Sequence, residues 1–269
     1  MVDEHGYDAN IVAGGTGLVL MMSHGFLQPS ALISLARIAG IGGIRANGES
    51  VQIGAMTTIR DAAISSDIRA SYPALAEAFA AVGNVRVRNQ ATVGGNLAHA
   101  DYASDPPTML VALGASVSVV GVRGARSIPV ADLVLGPYST SLEATEIISA
   151  ITLPLLEPET RMSYRRITAK SREDRPCVVI GVVARMEGAV CRTLRIAVGA
   201  ACNAPTLIER IPIGKEGEEL TDGLMNDIAD LCVSQIDLLD DVRASAWYRG
   251  RLLRVTVLQM LGEVRDGRG

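Results

Sequence analysis

Two glycine pairs, far apart in the chain, constrain this sequence more than any other feature. The first is Ala13-Gly14-Gly15-Thr16-Gly17, directly after the apolar run Ile11-Val12-Ala13. The second is Thr92-Val93-Gly94-Gly95-Asn96, which continues through Leu97-Ala98-His99-Ala100-Asp101-Tyr102-Ala103-Ser104-Asp105. Glycine carries no Cβ, so backbone N–H groups in such bends can approach a phosphate closely. A dinucleotide Rossmann fingerprint fits poorly. It needs glycine at positions 15, 17 and 20, but position 20 is Leu20, and no acidic residue follows about twenty residues on. Each bend alone reads as a tight turn. The two together, each with a flanking threonine, point to a pyrophosphate gripped from opposite sides by neutral N–H donors.

The rest of the composition narrows the classes. The chain has 269 residues, 48% hydrophobic and 20% charged, enough for a sizeable core and more than one typical domain needs. A net charge of -4 with no basic stripe argues against a nucleic-acid binder, and 3% aromatics are too few for a base-stacking platform. Cys177, Cys191, Cys202 and Cys232 include no Cys-x-x-Cys pair and have no histidine near them. They read as buried apolar thiols in a reducing cytoplasm, with no iron–sulfur cluster or zinc expected in this chain. The longest apolar stretch, Ile11 to Met22, holds three glycines and is too short for a membrane span. No positively charged leader opens the sequence, so a cytoplasmic location is expected.

The first half alternates short strands and helices. Val51-Gln52-Ile53 alternates like a strand, Thr58 to Ser65 reads as a helix with a threonine cap, and Pro73 opens a helix over Ala74 to Val82. Asp105-Pro106-Pro107 begins a helix that Gly114 stops, and Ala115 to Val122 is a β-branched strand. Pro154 and Pro158 break the pattern, which places a domain boundary between 1–156 and 157–269. Beyond it come the strand-like runs Ser163 to Thr168, Val178 to Met186 and Leu194 to Val198, with Gly188 as a hairpin turn. From Thr221 the pattern turns helical, ending in an amphipathic stretch from Ala246 to Val264.

The first bend, the second bend and Ala100 to Asp105 together resemble the FAD-binding medium subunit of molybdenum hydroxylases, the group of the carbon monoxide and xanthine dehydrogenase flavoproteins. The resemblance extends to Asp241-Val242-Arg243-Ala244-Ser245-Ala246-Trp247-Tyr248-Arg249 near the last helix. It implies an α+β fold: a vanillyl-alcohol-oxidase-type FAD-binding domain of two α/β lobes, then a small antiparallel sheet with helices. It implies FAD in this chain, its pyrophosphate on Ala13–Gly17 and Thr92–Asn96. It also implies a flavin contact at Ile148, which otherwise reads as a core strand residue. At Asp105 it implies a cofactor contact, against or alongside a helix N-cap. The implied partners are a large molybdenum-cofactor subunit and a small iron–sulfur subunit, usually as a dimer of heterotrimers. The implied role is electron transfer from the iron–sulfur clusters to an external acceptor.

The sequence departs from that pattern in three places. Gly17 stands where the family usually has Ser or Asp, so one phosphate or ribose contact is lost or replaced by backbone. Arg165-Arg166 stands where Lys is common. The chain also begins late, with Val2 to Asn10 resembling the tail of a helix that relatives carry whole. An assembly subunit that has lost FAD is therefore a second reading, and an autonomous flavin oxidase a third without a visible substrate base. Of the three histidines, His5 reads as solvated and His24 has no visible partner. His99 reads as a hydrogen-bonded wall residue, with a proton relay to the flavin as the lesser alternative.

Overall fold

The computed structural model describes residues 9–171, 174–214 and 216–268. His5 and residues 2–8 of the expected helix tail lie outside them. Ala9 and Asn10, expected to end that helix, open a strand instead, Ala9–Val12. It pairs in parallel with Ala31–Ser34, Ile11 facing Ile33, and the helix Thr16–Ser23 makes the crossover. This is a βαβ unit, and its first turn is the Ala13–Gly17 bend.

A second sheet runs antiparallel in the order Ile44–Ala46, Ser50–Gly54, Ile147–Pro154, Ser116–Gly121, Gly124–Pro129. The helices Ile59–Ile64, Ser66–Ser71 and Pro73–Ala80 follow its Ser50–Gly54 strand. Thr58 caps the first of them, its hydroxyl accepting from the Asp61 amide at 3.0 Å. Pro73 occupies a first-turn position, where its missing N–H costs no helical bond. Fully buried Ile53, Ile59, Leu75, Phe79, Val117 and Ile151 join sheet and helices into one core.

The C-terminal sheet is an antiparallel meander of Thr160–Thr168, Pro176–Glu187 and Val190–Gly199, to which Thr206–Leu207 and Glu218–Glu219 add. Gly188, at φ 62°, turns the second strand into the third, a conformation that favours glycine. The middle strand is apolar on both faces because both are covered. Val178, Ile180 and Val182 pack with Ile228, Cys232, Leu253 and Val257 of the helices Asp222–Gln235 and Ala246–Arg265. Val179 and Val183 belong to the core of the N-terminal half. The helix Asp105–Leu113 packs against that side at Gly181, where a Cβ would sit 2.6 Å from Met109 Sδ.

All four cysteines are free and buried. No helix among the described residues is long and apolar enough to cross a membrane.

One buried cation organises the junction of the two halves. Arg249 is fully buried and donates to the carbonyls of Cys177, Ala200 and Ala244 and to Asp241 Oδ1 at 2.6 Å. Asp241 Oδ2 accepts in turn from the Tyr102 hydroxyl at 3.3 Å. Partial burial pushes the Asp241 carboxyl up, but the Arg243 and Ala244 amides and the Arg249 guanidinium outweigh it and hold it down at about 2. The folded value is below the ordinary one, so this stabilisation is complete above about pH 4 and is lost as pH falls toward 2. Asp241→Asn should melt below the wild type at neutral pH, with the gap narrowing through that window. A gap that stays constant between pH 5 and 2, measured by thermal melts, would show that the carboxylate charge is not what the network uses.

Candidate functional site

The two glycine bends meet. Gly14 lies against the backbone leading into the second bend, where a Cβ would come within 1.9 Å of the Gln90 carbonyl oxygen. Gly95 closes the junction from the other side, its Cβ position 3.2 Å from Ala13 Cβ and 2.8 Å from Thr92 Oγ1. Gly94 presses on Ala55, whose Cα a Cβ would approach to 3.0 Å. Gly14, Gly94 and Gly95 leave no room for a Cβ, and Gly15 is left-handed at φ 71°, so each position calls for glycine.

The two bends are not equivalent. The second is the start of a helix, Val93–His99, with Thr92 as its N-cap and the Thr92 hydroxyl accepting from the Gly95 amide at 3.1 Å. The Val93 and Gly94 amides go to the Thr57 and Ala55 carbonyls, both at 2.9 Å. The Asn96 side chain pairs with the Ser104 hydroxyl at 2.9 Å. Most of the donors expected to face a phosphate here are spent in fixing the loop. The first bend is different. Gly15, at φ 71°, is the N-cap of the helix Thr16–Ser23, and no side chain caps that helix. Its first-turn N–H groups have no acceptor one turn back, and the helix dipole adds positive potential at the same point. The first bend therefore offers free N–H groups that suit an anion, and the second bend forms a wall beside them.

A cleft of about 730 Å³ opens over the junction, a volume suited to a cofactor. Ala13, Gly14, Gly15, Thr16 and Gly17 line one side of it, and Thr92, Gly94, Gly95 and Asn96 line another. Ile148 reaches it from the five-stranded sheet together with its neighbour Ile147. Successive strand residues normally point to opposite faces. Here the register slips, Ser118 opposing Ala150 and Val119 opposing Ile148, so Ser149 is an extra residue. The bulged Ser149 donates its hydroxyl to the Ser118 carbonyl at 3.0 Å, and the slip places Ile148 with Ile151 in the core.

Val93 and Asp105 do not line the cleft. Val93 is buried in the core. Asp105 is the first residue of its helix and Ser104 holds the N-cap position, so the capping expected of Asp105 is not its role. Its Oδ1 accepts from the Tyr164 hydroxyl at 2.5 Å and Arg166 Nε at 2.9 Å. Burial pushes this carboxyl up, against the pull of Arg166 and Tyr164. The three side chains clasp the C-terminal sheet to the Asp105–Leu113 helix. Arg165, the other half of the arginine pair, turns outward to Glu263 at 2.6 Å.

His99, Asp101, Tyr138 and Arg175 complete the cleft wall. Sequence reasoning gave no role to Tyr138 or Arg175, because neither sits near a glycine bend in the chain. Arg175 pairs with Asp101 and lies over the Tyr102 ring, 5.7 Å from its centroid. Tyr138 is left-handed at φ 58°, and its ring centroid stands 5.1 Å from that of His99. His24 lies outside the cleft, beside Phe26.

Comparison with known proteins agrees with this geometry. Residues 2–156 match the family described as the FAD binding domain in molybdopterin dehydrogenase, and residues 162–264 match the CO dehydrogenase flavoprotein C-terminal domain. The chain is 33% identical over 252 residues to the carbon monoxide dehydrogenase medium chain of Hydrogenophaga pseudoflava, covering 93% of this chain and 86% of that one. It is 31% identical over 259 residues to the nicotine 6-hydroxylase medium subunit of Paenarthrobacter nicotinovorans, covering 95% and 89%. The solved carbon monoxide dehydrogenase of Hydrogenophaga pseudoflava that lacks the Mo-pyranopterin moiety superposes with a TM-score of 0.91 at 31% identity, over 97% of this chain and 91% of that one. With both halves matched and the glycine bends joined at one cleft, this chain belongs to the FAD-binding medium subunits of molybdenum-hydroxylase-type dehydrogenases.

Proposed function

We propose that this chain holds FAD in the glycine-lined cleft and serves as the electron-transfer subunit of a three-component dehydrogenase. Its partners would be a large molybdenum-cofactor subunit, where substrate is oxidised, and a small iron–sulfur subunit. The observation that carries the reading is the joining of two distant glycine bends at the uncapped N-terminus of the Thr16–Ser23 helix. That seat suits a diphosphate. FAD, when bound, supplies the redox chemistry, accepting electrons from the partner clusters and yielding them to an external acceptor.

The residues here do the rest. Backbone N–H groups of Gly14 to Gly17 would neutralise the diphosphate without a cation. Thr92, Gly94, Gly95 and Asn96 would fix the position of that seat through their own internal bonds. Ile147 and Ile148 would give the ring system an apolar face and exclude water. Asp105 and buried Val93 would act from behind the wall, Asp105 by holding Tyr164 and Arg166 in place. No acid or base is required of the chain for electron transfer, and among the described residues the cleft wall carries His99, Asp101, Glu146, Tyr138 and Arg175 as titratable groups. The alternative of an assembly subunit without FAD gains no support from the folded site, whose two bends join and leave a cleft beside them.

The test is the flavin content of the complex purified with its partner subunits. About one FAD per copy of this chain is expected, released on denaturation and bleached when substrate is added without an acceptor. A carefully isolated complex with no flavin would remove the proposal, and flavin that substrate cannot bleach would remove the electron-transfer role.

A further inference from the structure

Gly17 ends the first bend without a side chain, and the structure shows what fills that space. A Cβ built on Gly17 would lie 2.9 Å from His99 Nε2, 3.0 Å from Cε1 and 3.2 Å from Cδ2. The outer edge of the imidazole therefore stands where a side chain at position 17 would begin. His99 comes from the second bend, as the last residue of the helix Val93–His99. It lines the same cleft as Gly17.

The imidazole is held there by more than one neighbour. Ala100, immediately after it, is left-handed at φ 49°, and its amide returns to Leu97 O at 3.1 Å. The Ala100 carbonyl accepts from the Tyr138 amide at 2.8 Å, which brings the Tyr138 ring against the imidazole. Two non-glycine residues in left-handed conformations, joined by one hydrogen bond, are a strained arrangement of the kind that gathers at binding sites. Among the described residues neither ring nitrogen of His99 makes a hydrogen bond, although the side chain is half-buried. Burial lowers the pKa of the imidazole, Asp101 pulls it back up and Arg175 lowers it. A neutral imidazole offers one donor and one acceptor.

Resting on the placement of FAD in this cleft, we infer that His99 supplies to the diphosphate–ribityl stretch of the cofactor the polar contact that Gly17 cannot make. The contact moves from the first bend to the second, and the two positions form a matched pair. A side chain at 17 and an imidazole at 99 compete for the same volume.

The pair can be tested by exchange. FAD affinity is measured by quenching of flavin fluorescence on the full chain freed of flavin, together with the melting temperature of the flavin-free protein. His99→Ala should weaken FAD binding about tenfold, the loss of one good hydrogen bond, with the flavin-free melt unchanged. Gly17→Ser in the wild-type background should weaken binding as well, because its Cβ displaces the imidazole. Combined with His99→Ala, the same Gly17→Ser should restore most of the affinity. Full affinity in His99→Ala, or a double variant no better than His99→Ala alone, overturns the inference while leaving FAD in the cleft. A wild-type chain that takes up no FAD at all overturns the flavin reading first, and this one with it.

Discussion

Gly95→Val should leave the chain folded and empty of flavin. The first atom added, Cβ, would stand 2.8 Å from Thr92 Oγ1 and 3.2 Å from Ala13 Cβ. Sequence alone suggests that the valine methyls would fill the space of a phosphate oxygen. The structure puts the damage earlier, at the seam between the bends. To admit the side chain, the Thr92 hydroxyl must give up the Gly95 amide, and Ala13 must move away. Losing an N-cap of this kind costs about 1–2 kcal/mol, a fraction of the stability of an ordinary domain. The N-terminal core touches the Val93–His99 helix only through Val93 and Leu97, and most of it and all of the C-terminal core lie away from Gly95, so the fold should survive. The anion seat should not, because the first-turn amides of the Thr16–Ser23 helix are aimed by the Ala13–Gly17 bend that has been displaced. FAD affinity should fall on the order of a hundredfold or more, the effect of roughly 2.7 kcal/mol. The flavin-to-protein ratio after gel filtration reads this directly. Stoichiometric FAD in Gly95→Val would mean that the diphosphate does not lie at this seam.

The glycine bends were legible because their chemistry is local: a missing Cβ is visible in any sequence. So were the Thr58 cap, the Pro73 helix start, the Gly114 stop and the strand pattern of the C-terminal sheet, each set by neighbours within a few residues. What failed to show was anything whose partner is distant in the chain. Thr92 and Asn96 look like ligand groups by position, yet one caps a helix and the other holds Ser104. Asp105 looks like a cap or a cofactor contact, and it is clasped by Tyr164 and Arg166 from the other half. Ala9 and Asn10 continue a plausible helical stretch, but parallel pairing with Ala31–Ser34 draws them into a strand. Ser149 bulges out of the pairing with the Ser116–Gly121 strand, which nothing in the sequence announces. The run from Asp241 to Arg249 carried part of the family resemblance, but its physical role needed the folded chain.

That role gives the largest expected loss of stability. Arg249→Met keeps much of the side-chain volume and removes the charge and the donors, so no large cavity confuses the result. The carbonyls of Cys177, Ala200 and Ala244 lose the guanidinium, and Asp241 loses its contact at 2.6 Å. Asp241 keeps Arg243 at 3.0 Å and the amides of Arg243 and Ala244, so its charge is not stranded completely. Breaking a buried pair from one side costs about 3–5 kcal/mol, and these remaining partners favour the lower end of that range. In a chain of this size the melting temperature should drop by roughly 10 °C. Adding Asp241→Asn should cost less in the Arg249→Met background than in the wild type, because the residues share one network. The flavin should stay bound well below the new midpoint, since none of the groups that Arg249 hydrogen-bonds lines the cleft. Arg249→Met and Gly95→Val therefore separate the two things this fold does. One should lose stability and keep its flavin, and the other should lose its flavin and keep most of its stability. An Arg249→Met melt within about 2 °C of the wild type, less than the shift expected for 1 kcal/mol, would mean that the buried guanidinium is replaceable by apolar packing.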